Sequence, residues 1–111
     1  MLIFPLKKEW YEKIKSGEKT VEYREVKNYW EKRLWKSNCL PFVNGMWVYE
    51  DVNFRFPVEC IFQLGYKPET RFKAIIHKVE IVDGKNTDLK INKPVYAIHF
   101  KLNVQPSENG R

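Results

Sequence analysis

Four residues near the N-terminus carry the side chains best suited to chemistry: Lys19, Thr20, Glu22 and Arg24. With Gly17 they lie in the pattern G-x-K-x-x-E-x-R, after a short amphipathic segment and at the start of a strand-like run. Because side chains alternate along a strand, the threonine, glutamate and arginine are predicted to share one face. Clustered cations attract phosphate or a polarised carbonyl, with arginine binding bidentately and lysine acting as a mobile point charge.

The acid and the hydroxyl of this cluster have more than one interpretation. Glu22 can accept hydrogen bonds from a base edge or act as a general base, since a carboxylate beside Lys19 and Arg24 is expected to stay ionised. Lys19 can also lower the pKa of a neighbouring hydroxyl such as that of Thr20, giving an activated nucleophile. The alternative is structural, with ion pairs of Glu22 to Arg24 or Lys19 fixing the mouth of a barrel.

Two short helices are predicted to flank the motif strand. Helical spacing of apolar residues indicates a helix over Lys7–Ser16, which Gly17 would end, and the motif strand follows over 20–26. A second helix is predicted at about 28–35, with Asn28 as its N-cap.

Extended structure is expected elsewhere in the chain, over residues 1–6, 58–64, 71–82 and 95–102. The apolar phase switches within 71–82, which predicts a bulge near Ile76-His77-Lys78. The segment 37–53 has no clear period and is expected to be a long ordered loop or an irregular hairpin. The polar tail 103–111 is predicted to be disordered.

These elements indicate one domain over residues 1–102, because 111 residues suffice for a single modest core. Several strands with two short helices favour the α+β class, as a small β-barrel with the helices packed at its openings. Closure of such a sheet would also remove exposed strand edges.

The sequence from Gly17 to Arg24 resembles the signature of the ASCH domain, a member of the PUA-like superfamily. The resemblance extends over residues 2–102. It includes Phe4-Pro5-Leu6-Lys7-Lys8-Glu9-Trp10, the continuation Tyr23 to Leu34, Gly65-Tyr66 and the closing Val95-Tyr96-Ala97-Ile98-His99-Phe100. It implies a PUA-like barrel of the small phage or bacterial type, with the motif lining a cleft between barrel and helix.

The resemblance implies more than one activity. Some ASCH proteins are amidohydrolases on acylated cytidine, which use the motif lysine, a threonine three residues later and a distant glutamate. Lys19 matches the lysine, but Glu22 stands at the threonine position, and Glu59 or Glu80 would have to supply the distant acid. Other ASCH proteins bind RNA or DNA, and some are ribonucleases.

Net charge and aromatic content favour an acidic partner. The chain carries a net charge of +6, and 15% of its residues are aromatic. Rings interleaved with cations suit single-stranded nucleic acid, because bases stack on rings and cations follow phosphates. The rings are Tyr23, Tyr29, Trp30 and Trp35, and the cations are Arg24, Lys27, Lys32, Arg33 and Lys36. For Trp30 the alternative of a core residue is favoured, and a solvated face is the alternative for the lysines.

The histidines and cysteines are weaker candidates for a functional site. His77 and His99 would suit acid–base cleavage of RNA, although barrel-rim histidines are the favoured interpretation. Cys39 and Cys60 lack metal-ligand spacing, and thiols in a reducing cytoplasm are favoured over a disulfide. No apolar run approaches the ~18 residues of a membrane span, and a secretory signal is not evident. We therefore expect a cytoplasmic protein without membrane association, metal or cofactor.

The sequence predicts binding of single-stranded RNA, another nucleic acid or a nucleoside-like small molecule. The predicted ligand-binding residues are Lys19, Thr20, Glu22, Arg24, Lys27 and Arg33. A small hydrolase on a modified nucleoside or on RNA is the first alternative, with Lys19 and Glu22 catalytic. A protein–protein adaptor is the second alternative, and an exposed apolar patch would favour it. Its residues would be Phe42, Trp47, Tyr49 and Phe54.

Overall fold

A computed structural model describes residues 2–37 and 57–102, together with the backbone of 42–43 and 46–47. Within these residues the chain forms two α-helices and seven strands. The helices are α1 (Lys8–Lys15) and α2 (Asn28–Lys36). The strands are β1 (Leu2–Leu6), β2 (Val21–Glu25), β3 (Phe42–Val43), β4 (Met46–Trp47), β5 (Val58–Leu64), β6 (Phe72–Asp83) and β7 (Pro94–Leu102).

Helix α1 confirms the first helical prediction to within one residue at each end. It buries Tyr11 and Ile14, while Trp10 stays half-buried at the side of the helix. Gly17 follows with a φ of +90°, in the left-handed region that ends many helices and favours glycine. The chain therefore reverses there and enters the motif strand.

Helix α2 is confirmed as an element, but its predicted N-cap is wrong. Lys27 holds the N-cap position in extended conformation and Asn28 is already helical, with no side-chain capping bond. Helix α2 therefore begins one residue earlier than the capping pattern suggested, and the motif strand ends at Glu25. Trp30 and Leu34 face the core, which confirms the core interpretation of Trp30.

The strands form one mixed sheet with β6 at its centre. One edge of β6 pairs with β5 and then, further along, with β3, while the other edge pairs with β7. Beyond these, β1 pairs parallel with β5, and β2 pairs antiparallel with β7. The order is therefore β1-β5-β6-β7-β2, with the β3–β4 hairpin as a branch.

The α+β class is confirmed, and the curled sheet is compatible with a small barrel. Among the described strands no ladder joins β1 to β2, so backbone pairing does not close the sheet between them. A seam remains between these two edge strands. The motif strand lies along it.

The predicted bulge is confirmed. The register of β6 against β7 shifts between Ile76 and Lys78, so that His77 is the extra residue. This shift lets both Ile76 and Val79 face the core.

Strand β7 differs from the alternating pattern that the sequence predicts. Tyr96, Ile98 and Phe100 are buried as expected, but Val95 and Ala97 are buried as well. The first half of β7 is therefore covered on both faces.

The core is rich in aromatic side chains. Phe62 lies at its centre, with ring centroids 5.6 Å from Phe4 and 4.8 Å from Phe100. Cys60 is buried beside them, and Cys39 lies outside the described residues. No helix in the described part of the chain is long and apolar enough to cross a membrane.

Some predictions fall outside the described residues. Segment 37–53 contains the short strands β3 and β4, and the rest of it is not described apart from Ser37. The tail 103–111 and the side chains of the proposed adaptor patch also lie outside the described residues.

Candidate functional site

Arg24 joins the two edge strands of the sheet through its side chain. It lies on β2, and its Nη2 donates a hydrogen bond to the carbonyl oxygen of Pro5 on β1 at 2.9 Å. Its guanidinium lies 4.8 Å from the ring centroid of Trp30 and 5.3 Å from that of Phe4. The arginine is therefore held by β1, by helix α2 and by the core at once.

Glu22 is the buried centre of the motif, with 6% of its surface exposed. Its Oε2 accepts from Nε of Arg24 at 2.9 Å and lies 2.8 Å from Nη2, while Oε1 lies 3.6 Å from Nζ of Lys19. Glu22 and Arg24 thus share a face of β2, as predicted.

The pKa of Glu22 depends on its burial as well as on the two cations beside it. Desolvation raises the pKa of this carboxyl above its ordinary value, although the charges of Arg24 and Lys19 oppose the shift. The sequence reveals the two cations but not how little water reaches the acid. Glu22 is consequently poised to gain a proton more readily than an exposed glutamate.

Lys19 is almost fully engaged by neighbouring groups, with 9% of its side chain exposed. Its ammonium donates to the carbonyl oxygen of Val21 at 2.6 Å and to a carboxylate oxygen of Asp88. The same Nζ lies 5.3 Å from the ring centroid of Trp10 and 5.0 Å from that of Tyr23. Asp88 was missed by sequence reasoning, because it lies far along the chain in an irregular segment and carries no local pattern.

Tyr23 contributes a phenol to the same region. Burial raises its pKa, and the carboxylates of Asp88, Glu80 and Glu22 raise it further. The hydroxyl therefore stays protonated well above neutral pH and can donate a hydrogen bond.

Thr20 lies just before β2 and is exposed. Its carbonyl accepts from the backbone N–H of Phe100 at 3.2 Å, and its hydroxyl makes no hydrogen bond to any described residue. Thr20 and Lys19 line a shallow cavity of about 290 Å³ beside Asp88. No contact joins the threonine hydroxyl to the lysine ammonium within the described chain, so an activated nucleophile is not assembled in this structure.

A cavity of about 340 Å³ opens at the seam between β1 and β2. We call it the motif cavity. Its polar lining comes from Glu22, Arg24 and Tyr23, and its apolar lining includes Trp10 and Trp30. The exposed cations Lys7 and Lys27 lie at its rim. Nζ of Lys27 lies 3.9 Å from Oε1 of Glu25. The remaining lining residues are Pro5, Leu6, Glu25, Leu89 and Ile91.

Arg33 does not line the motif cavity. It lines a cavity of about 410 Å³, called here the second cavity, together with Tyr29, Lys36, Gln63, Tyr66 and Arg71. Leu2, Ile3, Pro5 and Ser37 complete its lining. The six predicted ligand-binding residues are thus divided among three cavities: Lys19 and Thr20 in the shallow one, Glu22, Arg24 and Lys27 in the motif cavity, and Arg33 in the second.

The two histidines are neighbours. Their ring centroids lie 6.2 Å apart, and Nε2 of His99 lies 2.7 Å from Oε2 of Glu80. Burial lowers the pKa of His77, and the positive charges of Lys101, His99 and Lys78 lower it further. Neither histidine lines the motif cavity or the second cavity. The two histidines therefore belong to neither the motif cavity nor the second cavity.

The described residues contain no group of three or more His, Cys, Asp and Glu side chains that would hold a metal ion. The motif cavity instead combines the paired carboxylates of Glu22 and Glu25, the guanidinium of Arg24 and several aromatic rings. Such a lining is suited to a flat polar ligand. Comparison with protein-family models, with curated proteins and with solved structures gave no match to this chain.

Proposed function

We propose that this protein is a PUA-like domain of the ASCH type that binds single-stranded RNA or a nucleotide-like ligand in the motif cavity. One observation carries the proposal. The Glu22–Arg24 pair lines the same cavity as the half-buried rings of Trp10 and Tyr23. A nucleobase needs such a combination, because its edge presents donors and acceptors and its faces stack on aromatic rings.

Hydrogen-bonding capacity remains at the charged pair. Arginine has five N–H donors, and the described contacts of Arg24 use only Nε and Nη2. The Nη1 group makes no hydrogen bond to a described residue and is available to a carbonyl or phosphate oxygen. Glu22 can accept from an exocyclic amine, or donate when it carries a proton.

Charge at the rim supports an anionic ligand. Lys7 and Lys27 are exposed at the motif cavity, and the whole chain carries a net charge of +6. Exposed cations around an apolar opening raise the local concentration of polyanions and their association rates. A strand of RNA would place its phosphates along this rim while one base enters the cavity.

The fold and the motif support the ASCH assignment together. The motif from Gly17 to Arg24 lies at the seam of a curled sheet and beside helix α1, where the resemblance places a ligand cleft. The assignment is a proposal that rests on this resemblance and on the cavity chemistry.

Quenching of tryptophan fluorescence by a short single-stranded RNA tests the proposal. The variant replaces both members of the buried pair with neutral amides, Glu22→Gln with Arg24→Gln, so that neither partner is left as a lone buried charge. We expect affinity to fall at least tenfold, since charged hydrogen bonds contribute about 1.5–3 kcal/mol each. A folded double variant with unchanged affinity would refute the proposal.

The matched control is Glu12→Gln with Lys85→Gln, which also removes one negative and one positive charge. Both residues are exposed and line neither the motif cavity nor the second cavity. This control variant should bind RNA nearly as the unmodified protein does. Near-ultraviolet circular dichroism of each variant separates lost binding from lost folding.

Hydrolysis of a modified nucleoside or of RNA is the second candidate, and one observation favours it. Glu22 is a buried carboxyl with a raised pKa that lines a ligand-sized cavity. Groups with this character serve as general acids or bases more often than exposed carboxylates do. The test is turnover of N-acylated cytidine and of RNA: loss of turnover in a folded Glu22→Gln variant supports the hydrolase, and absence of turnover in the unmodified protein counts against it.

A further inference from the structure

The second cavity has a lining of one charge sign. Arg33, Lys36 and Arg71 contribute three cations, and no aspartate or glutamate lines this cavity. None of the three makes a salt bridge within the described part of the chain. Three positive charges therefore converge on one concave surface without a carboxylate to balance them.

Two of these cations are oriented without being neutralised. Nε of Arg71 donates to Oε1 of Gln63 at 2.8 Å, and Nε2 of Gln63 in turn donates to the carbonyl oxygen of Gly65. Arg33 lies with its guanidinium 3.6 Å from the ring centroid of Tyr29, and its Nη1 donates to the backbone carbonyl of Tyr29 at 3.3 Å. Neutral partners thus fix both guanidinium groups and leave their full charge for an anion.

Two aromatic rings flank the same cavity. Tyr66 is 86% exposed and Tyr29 is 50% exposed, more than any other large apolar side chain in the described residues. Tyr66 follows Gly65, whose φ of +53° turns the chain sharply after β5. Tyr66 gains little from the core and is available for stacking, whereas Arg33 already covers one face of Tyr29.

The second cavity adjoins the motif cavity. Pro5 lines both, and its carbonyl oxygen accepts the hydrogen bond from Arg24. The consecutive residues Tyr29 and Trp30 line one cavity each, with ring centroids 4.9 Å apart. A single extended ligand can therefore reach from one cavity to the other across Pro5 and this aromatic pair.

We propose that the second cavity is a nucleotide subsite, in which Arg33 and Arg71 bind a backbone phosphate and Tyr66 stacks on a base. The inference rests on the proposed function, since both cavities would engage one strand. The proposed subsite narrows the class of ligand in two ways. A free nucleoside has no phosphate for Arg33 and Arg71 to bind. A single nucleotide is too short to fill both cavities. The ligand is then a single-stranded oligonucleotide rather than a nucleoside.

The test is fluorescence anisotropy with a labelled single-stranded RNA of about eight nucleotides across a salt series. Arg33→Gln with Arg71→Gln should weaken binding and lower the slope of log affinity against log salt by about 0.7, because the two arginines together contact one phosphate. Tyr66→Ala should weaken binding about 5- to 150-fold and leave the slope unchanged. Both changes are at exposed residues, so folding should survive.

The matched control is Lys85→Gln with Lys101→Gln. It removes the same two charges from exposed positions that line neither cavity. It should keep the salt slope of the unmodified protein. A slope lowered equally by this control would overturn the subsite, because general charge would then explain the binding.

The outcomes separate the subsite from the proposed function. If the arginine variant binds RNA unchanged while the Glu22→Gln, Arg24→Gln variant binds weakly, the subsite is wrong and the motif cavity stands. If both variants bind RNA as tightly as the unmodified protein does, the subsite and the proposed function are both wrong. If inorganic polyphosphate binds as tightly as RNA and Tyr66→Ala has no effect, the site recognises polyanions only and the nucleotide subsite is overturned.

Discussion

The motif cavity and the second cavity lie side by side, yet they use charge in opposite ways. At the motif cavity, Glu22 balances Arg24, and it also lies near Lys19, which Asp88 balances in the neighbouring shallow cavity. In the second cavity, Arg33 and Arg71 have only neutral hydrogen-bond partners among the described residues. Clustered charges in a sequence therefore indicate either a self-neutralised network or an open anion site, and only burial and partners distinguish them.

Because of this difference in charge balance, substitutions in the two cavities should affect stability and binding differently. A buried charge that loses its partner destabilises the fold, whereas an exposed charge without a carboxylate can be removed with little effect on the fold. The motif cavity should therefore be sensitive in unfolding experiments. The second cavity should be sensitive mainly in binding experiments.

The largest expected contrast is between Arg24→Ala and Arg33→Ala. The first leaves Glu22 buried without its strongest partner and should lower the free energy of unfolding by about 3–5 kcal/mol. The second removes an exposed cation and should change it by less than about 0.5 kcal/mol. Urea unfolding followed by tryptophan fluorescence measures both, and equal losses would abolish the contrast.

The pH dependence of stability tests the balance inside the motif cavity. Because burial raises the folded-state pKa of Glu22 above its ordinary value of 4.5, the folded state binds the proton more tightly than the unfolded state. The stability of the unmodified protein relative to Glu22→Gln should therefore be greatest below pH 4.5 and fall as the pH rises through the folded-state pKa. A relative stability that increases with pH would mean that Arg24 and Lys19 outweigh desolvation.

A smaller effect is expected where Gln63 orients Arg71. Gln63→Leu removes the acceptor for Nε of Arg71 and the donor to the carbonyl of Gly65. Loss of these hydrogen bonds should lower stability by about 1 kcal/mol, since water can reach the exposed arginine. RNA affinity should fall in the same variant, and affinity that stays constant would show that Arg71 does not need this support.

The smallest effect is expected at the outer edge of the motif network. Asp88 is partly exposed, so Asp88→Asn should lower stability by about 0.5 kcal/mol. A double-mutant cycle with Lys19→Met isolates the pair energy. A coupling of several kcal/mol would place Asp88 inside the buried network rather than at its edge.

The sequence predicts most of the elements because the signals are local. Helical spacing located α1 and α2, and the change of apolar phase located the bulge at His77. The covered first half of β7 was not predictable, because which faces a strand buries depends on elements distant in sequence.

The candidate site was predictable only where its residues are adjacent in sequence. The Glu22–Arg24 pair follows from alternation along one strand. Asp88, Gln63, Tyr66 and Arg71 come from turns and strand ends far from the motif, and no spacing links them to it. Long-range pairing between strands creates these groupings, and no local pattern in the sequence indicates which strands pair.

The pairing of the motif strand also sets when the site can exist during synthesis. Among the described strands β2 pairs only with β7, from Val21 opposite His99 to Glu25 opposite Val95. A nascent chain that ends before residue 94 therefore carries the whole motif without a neighbouring strand to hold it. Contacts so distant in sequence form only after a large loss of chain entropy. The motif strand can therefore join the sheet only after residues 94–102 have been synthesised.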